Sequence, residues 1–381
     1  MTGDPSRARA VVDLDAIASN YQRLYAAGVP VMGVVKADAY GHGDRRVAQL
    51  LRSLGAQWLG VALPAEALTL RAAGDRGRLL AWLWAPGDPG LVDCIAADVD
   101  LSVSSDLALV EVVTAAQRIG GRARVHVKVD TGLTRNGLPR ESWEPVFASA
   151  LAAQEAGWIE IVGVWSHLAS ADETENPTND AQAQVFAEAC DLLDQVGITS
   201  PIRHLGNSAA ALSRPDLAFD MLRAGIAIYG LTPGTAMGTS ADLGLTPAMS
   251  LRARLAHVKT ITAGTAVSYG GRWVADRSTT VGLVPVGYAD GIPRAASNRA
   301  EVLVGARRCP VLGVIAMDQF VVDLGPTSSE QPGDEVVVFG SGDSGEPTAD
   351  DWAGWAETIG YEIVTRISAR VPREYIGGGG Q

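Results

Sequence analysis

The sequence predicts an α/β chain: a (β/α)8, TIM-like barrel over residues 1–240, then a mostly β domain over residues 241–381. Three observations predict it. Strand-like apolar runs alternate with amphipathic helical stretches up to about residue 230, as repeated βα units require. The stretch LTPGTAMGTSADLGLTP then separates this half from a second half of strand-like segments and Gly-rich turns. Charged and polar side chains collect at the C-terminal ends of the strand candidates, where a barrel gathers its functional loops.

In order, the barrel strand candidates are VPVMGVVK, WLGVAL, LLAWLW, VDLSVS, ARVHVKVD, IEIVGVWSH, IRHLG and FDMLRAGIAIYG. Between them lie GDRRVAQLLRSLG, PAEALTLRAAG and SDLALVEVVTAAQRIG, each opening on a capping or proline signal and ending at Gly. An open doubly wound sheet is the alternative arrangement of such units. In the second half MSLRARLAHVKTITAGTAVSYG, STTVGLVPVGYADGIP, AEVLVGARRCPVLGVIAMDQFVVDLG and GDEVVVFG read as strands, and only TADDWAGWAETIG reads as a helix.

A net charge of −12 argues against non-specific binding to nucleic acid or anionic membranes. Cys94, Cys190 and Cys309 are odd in number and far apart, so they suggest no disulfide framework and fit a reducing compartment. The start MTGDPSRARA lacks an apolar signal core, and no apolar run approaches the ~18 residues of a membrane span. The expected location is cytoplasmic.

Lys36 is the first residue to need explanation. It ends an apolar strand, in VVKADAYGHG, where an ammonium taken out of water costs several kcal/mol unless it is paired or chemically changed. An ordinary reading is a lysine that snorkels into a wet loop. The strand RVHVKVD adds weight to a functional one. Side chains alternate along a strand, so Val125, Val127 and Val129 share one face and His126, Lys128 and Asp130 the other. The valines would meet the outer helices, leaving a polar face inside the barrel; a structural Lys128–Asp130 ion pair is the plain alternative. HLGNSAA and LRAGIAIYG follow the seventh and eighth strand candidates, where barrels often bind phosphate through backbone N–H groups. Ser208 offers a hydroxyl, and Gly225 lets the backbone approach an anion. A lysine at one strand end and a phosphate cup across the barrel suggest pyridoxal 5′-phosphate, which would hold Lys36 as a Schiff base. The five histidines are scattered, with neither paired strand histidines nor HExxH, so no metal site is expected.

These motifs resemble those of alanine racemases over residues 8 to 376. The resemblance rests on VVKADAYGHG, KVDTGLTRNG, WSHLASAD, HLGNSAA, LRAGIAIYG, VSYGGRW, GYADGIPR, AMDQF and YEIVTRISARVPR, in this order. It implies an isomerase in which Lys36 carries the cofactor and acts as base on one face of Cα. Tyr269 would be the base on the other face, arriving from the partner subunit of a homodimer. Arg223 would face the pyridine nitrogen with His167 beside it, and Tyr40, Ser208, Gly225, Ile226 and Tyr361 would hold the phosphate. Arg135, Met317 and Tyr288 would meet the substrate, and Lys128 would be the lysine often carbamylated in the family. One departure stands out. Many members read Gly-Arg-x-Cys-Met-Asp where this chain has Gly313-Val314-Ile315-Ala316-Met317-Asp318. The missing Arg belongs to the family's substrate entrance, beside Asp172 and Arg294, which are present. Its loss leaves racemisation of serine or a wider set of amino acids as the alternative to strict alanine preference.

Overall fold

Strands buried on both faces need continuous apolar runs, and helices laid over them need one apolar stripe. The computed structural model describes residues 7–25, 28–199 and 201–378. Its first strand is β1 (Ala8–Asp13). Eight short strands follow: β2 (Val31–Val34), β3 (Trp58–Val61), β4 (Arg78–Ala81), β5 (Asp100–Val103), β6 (Ala123–Lys128), β7 (Ile159–Trp165), β8 (Ile202–His204) and β9 (Leu222–Ala224). Each coincides with one of the expected runs. They are parallel, in the order β8-β7-β6-β5-β4-β3-β2-β9. A doubly wound sheet would reverse its order partway. Here the order runs straight round, and Arg223 N donates to Gly206 O at 3.0 Å across the remaining gap. The sheet is a nearly closed barrel.

The helices obey their end signals. Ser105 Oγ accepts from Ala108 N at 3.0 Å to open the helix Asp106–Ile119, and Gly120, at φ 62°, ends it. Strand side chains facing the helices join the main apolar core, whereas Met32, Trp58, Leu80 and Met221 form a separate cluster inside the barrel.

The second unit has strands β10 (Met249–Arg254), β11 (His257–Ile261), β12 (Ala266–Val267), β13 (Trp273–Val274) and β14 (Thr279–Val284). It continues with β15 (Glu301–Val304), β16 (Arg307–Leu312), β17 (Phe320–Gly325), β18 (Glu335–Phe339) and β19 (Arg373–Ile376). β12 and β13 make a two-stranded ribbon; the others join a nine-stranded sheet, β11-β14-β17-β16-β15-β18-β10-β1-β19. Thus β1, which the sequence reading did not single out, belongs to this sheet, antiparallel to β10 and parallel to β19. The expected helix is present as Ala349–Ala356, with Thr348 Oγ1 accepting from Asp351 N at 3.1 Å. A second helix, Gly360–Thr365, was not expected; six residues are too few to display a helical period.

Buried Asn20 clamps the two units together. Its amide donates to Ile228 O and Thr246 O at 3.1 and 2.9 Å, and its carbonyl accepts from Thr246 N at 2.9 Å. No helix among the described residues is long and apolar enough to cross a membrane.

Gly230 sits in the same junction at φ 81°, and a Cβ there would lie 1.8 Å from Thr246 O. Gly230→Ala should therefore cost about 2 kcal/mol or more, combining left-handed strain with a backbone clash. An unchanged urea midpoint by tryptophan fluorescence would refute that constraint.

Candidate active site

β2 delivers Lys36 to the barrel mouth, half-buried, with Nζ 5.9 Å from the Tyr40 ring centre and 5.8 Å from that of Trp82. Burial, and after it the Arg135 charge, lower its pKa, while Glu66 opposes them. Directly after Lys36 the backbone is unusual. Ala37, Asp38, Ala39 and Tyr40 have φ of 52, 55, 52 and 54°, a left-handed turn made without glycine.

The polar face of β6 lies inside, as its alternation predicts. His126 and Lys128 are buried there, and Val125, Val127 and Val129 pack in the outer core. The structural ion pair does not form. Asp130 instead turns its Oδ1 onto the N–H groups of Gly132 and Thr134, each at 3.0 Å. Lys128 Nζ stands 4.3 Å over the Trp165 ring. Burial first, then Arg223 and Arg135, bring its pKa down to about 8.

Arg223, on β9, is buried among neutral acceptors. It donates to Ser166 O, His204 O and Leu205 O at 2.7, 2.8 and 2.9 Å. It also meets His167 Nδ1 at 3.2 Å and His204 Nδ1 at 3.3 Å. Burial pushes the guanidinium pKa down, and the carbonyls support its charged form. Both histidines are held well below their ordinary pKa, first by burial and then by Arg223. They can thus offer Nδ1 as an acceptor. His204 Nε2–H then donates to His126 Nδ1 at 2.9 Å, and His126 Nε2–H to Asp100 Oδ2 at 3.2 Å. Asp100 is fully buried and receives Arg124 at 2.6 Å and Arg78 at 2.7 Å. A hydrogen-bonded chain therefore fixes each imidazole tautomer from Asp100 to Arg223.

Ser208 and Gly225 come together, with Gly225 N donating to Ser208 Oγ at 2.8 Å; Ile226 follows, buried. This cup lies beside Lys36 and not across the barrel from it as expected, because β9 pairs directly with β2. A Cβ on Gly225 would lie 2.3 Å from the Tyr40 hydroxyl, so only glycine leaves this cup open. Tyr361, from the unexpected helix, closes it, its ring centre 6.3 Å from that of Tyr40 and its hydroxyl donating to Pro233 O at 3.2 Å. Beneath them Tyr229 stacks between Tyr40 and His42, at 4.9 and 4.6 Å.

The remaining expected residues are more exposed, Arg135 close enough for its charge to act on Lys36, Lys128 and His167. Arg135 is exposed on the loop after β6. Tyr269, Met317 and Tyr288 belong to the β unit and are 71, 53 and 43% exposed. Tyr288 N donates to Ala316 O and Ala289 N to Met317 O, at 3.1 and 2.9 Å, so these last two side chains rise from one knot of loops. Ser268 Oγ ties Tyr269 to it through Val314 O at 2.6 Å.

The family model described as "Alanine racemase, N-terminal domain" matches residues 12–233, and "Alanine racemase, C-terminal domain" matches residues 248–375. The chain belongs to the alanine racemase family. Alanine racemase of Thermobifida fusca is 50% identical over 98% of this chain and 99% of its own length; that of Beutenbergia cavernae is 52% identical over 97 and 98%. The crystal structure of alanine racemase from D-cycloserine-producing Streptomyces lavendulae superposes with a TM-score of 0.96 at 49% identity, covering 98% of each chain. The protein is accordingly a pyridoxal phosphate-dependent amino-acid racemase, an isomerase. Its residues fit that cofactor: a lysine at the mouth, an open cup beside Gly225, and a gathering of cations that an anionic ligand would neutralise.

Several contributors escaped the sequence reading. His126 was visible on the polar face of its strand and His204 at a strand end, but their link to Asp100 depends on three strands meeting inside the barrel. Trp165, Tyr229 and Glu66 are not singled out by residue type alone. Val314 is buried beside a cavity of about 430 Å³ lined by Arg272, Arg294 and Arg299, so positive charge persists around the departure.

Burial alone would raise the Asp100 carboxyl pKa, but the His126 hydrogen bond and the Arg78 and Arg124 charges outweigh it and hold it below the ordinary carboxylate range. The resulting stabilisation is complete above the unfolded value of ~3.9 and is lost as pH falls through the depressed folded one. Asp100→Asn should cost about 3 kcal/mol at pH 7, with the deficit shrinking in acid. Urea melts of both proteins across pH 3–7 check this; a constant difference at every pH would count against it.

Proposed function

We propose that this protein interconverts L- and D-alanine with two bases, Lys36 of one protomer and Tyr269 of its partner, on opposite faces of Cα. The carrying observation is that Tyr269 stands 71% exposed on the β unit, with Met317 and Tyr288 beside it, while the groups around Lys36 come from barrel segments. A proton lost from one face of a planar carbanion must return to the other to invert the centre, so a second base is required. A homodimer with shared sites supplies it, and the exposed side chains support such an interface.

When bound, pyridoxal phosphate supplies an aldehyde for the substrate amine and a ring that draws electrons from Cα. Lys36, its pKa lowered by burial, is suited to take the proton as a neutral amine and to return one as the ammonium. Arg223 would meet the ring nitrogen and, as a cation, keep it unprotonated, which weakens the electron sink and disfavours protonation away from Cα. Tyr40, Ser208, Gly225, Ile226 and Tyr361 would hold the phosphate, His167 would steady Arg223, and Arg135, Met317 and Tyr288 would position the substrate. Lys128, at about 8, has a neutral fraction able to add carbon dioxide. A carbamate there would form an N–C bond with loss of one proton and give Arg135 an anionic partner. The three unpaired, buried cysteines fit a cytoplasmic dimer. Val314 favours a second reading, in which serine or bulkier amino acids also turn over; rates across a substrate panel separate the two.

Incubation with L-alanine in heavy water should give D-alanine carrying deuterium at Cα, and its absence would refute racemisation. Lys36→Ala and Tyr269→Phe should each lose at least about 10²-fold in turnover. Mixed and reassociated as subunits, they should recover about a quarter of wild-type activity, because half the dimers are mixed and each has one complete site. No recovery on verified mixing would defeat the shared site. Carbon-13 NMR under labelled carbon dioxide should show a carbamate resonance that Lys128→Ala abolishes.

A further inference from the structure

Lys36 must hold one position while its neighbours adopt backbone angles that L-residues avoid. Each left-handed residue costs roughly 1–2 kcal/mol, and four follow in sequence, so the surroundings must over-determine the turn. Several ties are main-chain: Ala39 N to Val35 O at 3.0 Å and Gly43 N to Asp38 O at 2.9 Å. Asp44 N donates to Asp38 Oδ1 at 2.9 Å, and Arg373 Nε donates to Gly41 O at 3.0 Å. At the first strained residue the tie is a carboxylate from another βα unit. Glu66, in the helix Pro64–Ala72 after β3, accepts from Ala37 N through Oε1 at 2.6 Å. Its Oε2 accepts from Ala62 N and Leu63 N, each at 2.9 Å. One charged group thus joins the residue after Lys36 to the end of the adjacent barrel strand.

The geometry points to Glu66 as a positioning residue for Lys36: its carboxylate anchors the strained turn and brings a negative charge to the residue after the lysine. The inference rests on reading Lys36 as the cofactor lysine and base. Around Lys36 the other charged or titratable groups include Tyr40 on the same turn, Arg135 and Lys128 from β6 and its loop, and His167 after β7. Arg135 and burial disfavour the ammonium, and Glu66 is the group that opposes them. Asp44 and Asp38 lie near the carboxylate on the following segment. Charge-assisted bonds to backbone N–H groups are about twice as strong as neutral ones, which suits an anchor under strain.

The test uses the full chain with Glu66→Gln and Glu66→Ala. Hydrogen exchange of the Ala37–Gly41 peptide reads the anchor. The pH dependence of Lys36 acylation, followed by peptide mass spectrometry after removal of the cofactor, reads the basicity. Both variants should exchange this peptide faster, and both should shift the acylation midpoint to lower pH, giving severalfold faster labelling at a fixed pH below the midpoint. A purely structural acceptor would allow Gln to restore the wild-type midpoint, and that outcome overturns the inference, as does unchanged exchange. Gln keeps the size of the side chain, so the measurement survives if the Ala variant does not fold. The underlying reading is checked separately, since Lys36→Ala should lose the absorbance of lysine-bound cofactor whatever Glu66 does.

Discussion

Positive charge concentrated at one end of the barrel, with the Asp130 carboxylate turned away from it, is the constraint around which the site is organised. Arg135 disfavours the charged form of Lys36, and Arg223, Arg135 and Lys36 disfavour that of Lys128. Asp130, the nearest candidate counter-ion on β6, is committed to its own loop. Arg223 is therefore supported by carbonyl oxygens and imidazole nitrogens, acceptors that stabilise a cation without cancelling it. A mouth built this way favours ligands that bring several negative charges. It also keeps the lysines closer to their neutral, proton-accepting forms than they would be in water.

Such an arrangement requires rigid support beneath it. The Asp100–His126–His204 chain supplies it from below, because every hydrogen in the chain has one allowed position once the carboxylate is ionised. The left-handed turn after Lys36 supplies it from the side, storing strain that surrounding contacts must hold. The two supports differ in kind. One is a fully satisfied polar network in the barrel interior, where a missing partner is costly; the other is backbone geometry fixed by neighbours from a second βα unit and from the C-terminal segment.

The sequence carried the barrel clearly, because continuous apolar runs and helix end signals are local properties of the chain. It also carried the polar face of β6, since alternation alone places His126 and Lys128 inside. What it did not carry depends on distant partners. β1 is six residues that could have joined any sheet, and its pairing with β10 and β19 is decided more than 230 positions later. Asp100 acquires meaning only when β5, β6 and β8 bring it, His126 and His204 together. Glu66 sits at an unremarkable helical position, and its partner, a backbone N–H after Lys36, leaves no mark in composition or spacing. Tyr361 was recovered from family resemblance, although the short helix that carries it was not foreseen.

The place of β1 has a consequence for how the molecule is made. Its register with β19 sets Ala10 against Arg373, so one side of the β sheet joins an early strand to a late one, with the barrel intervening. During synthesis the barrel can assemble from contacts between successive βα units, while β1 waits beside it for a neighbour that emerges last. Until β10 emerges the strand has unsatisfied N–H and C=O groups on both edges, and the edge that meets β19 stays open longer, so the nascent chain depends on whatever shields them. Completion of the sheet is thus a late event that draws the two ends of the polypeptide together. A label attached near β1 would lie close to one attached near β19.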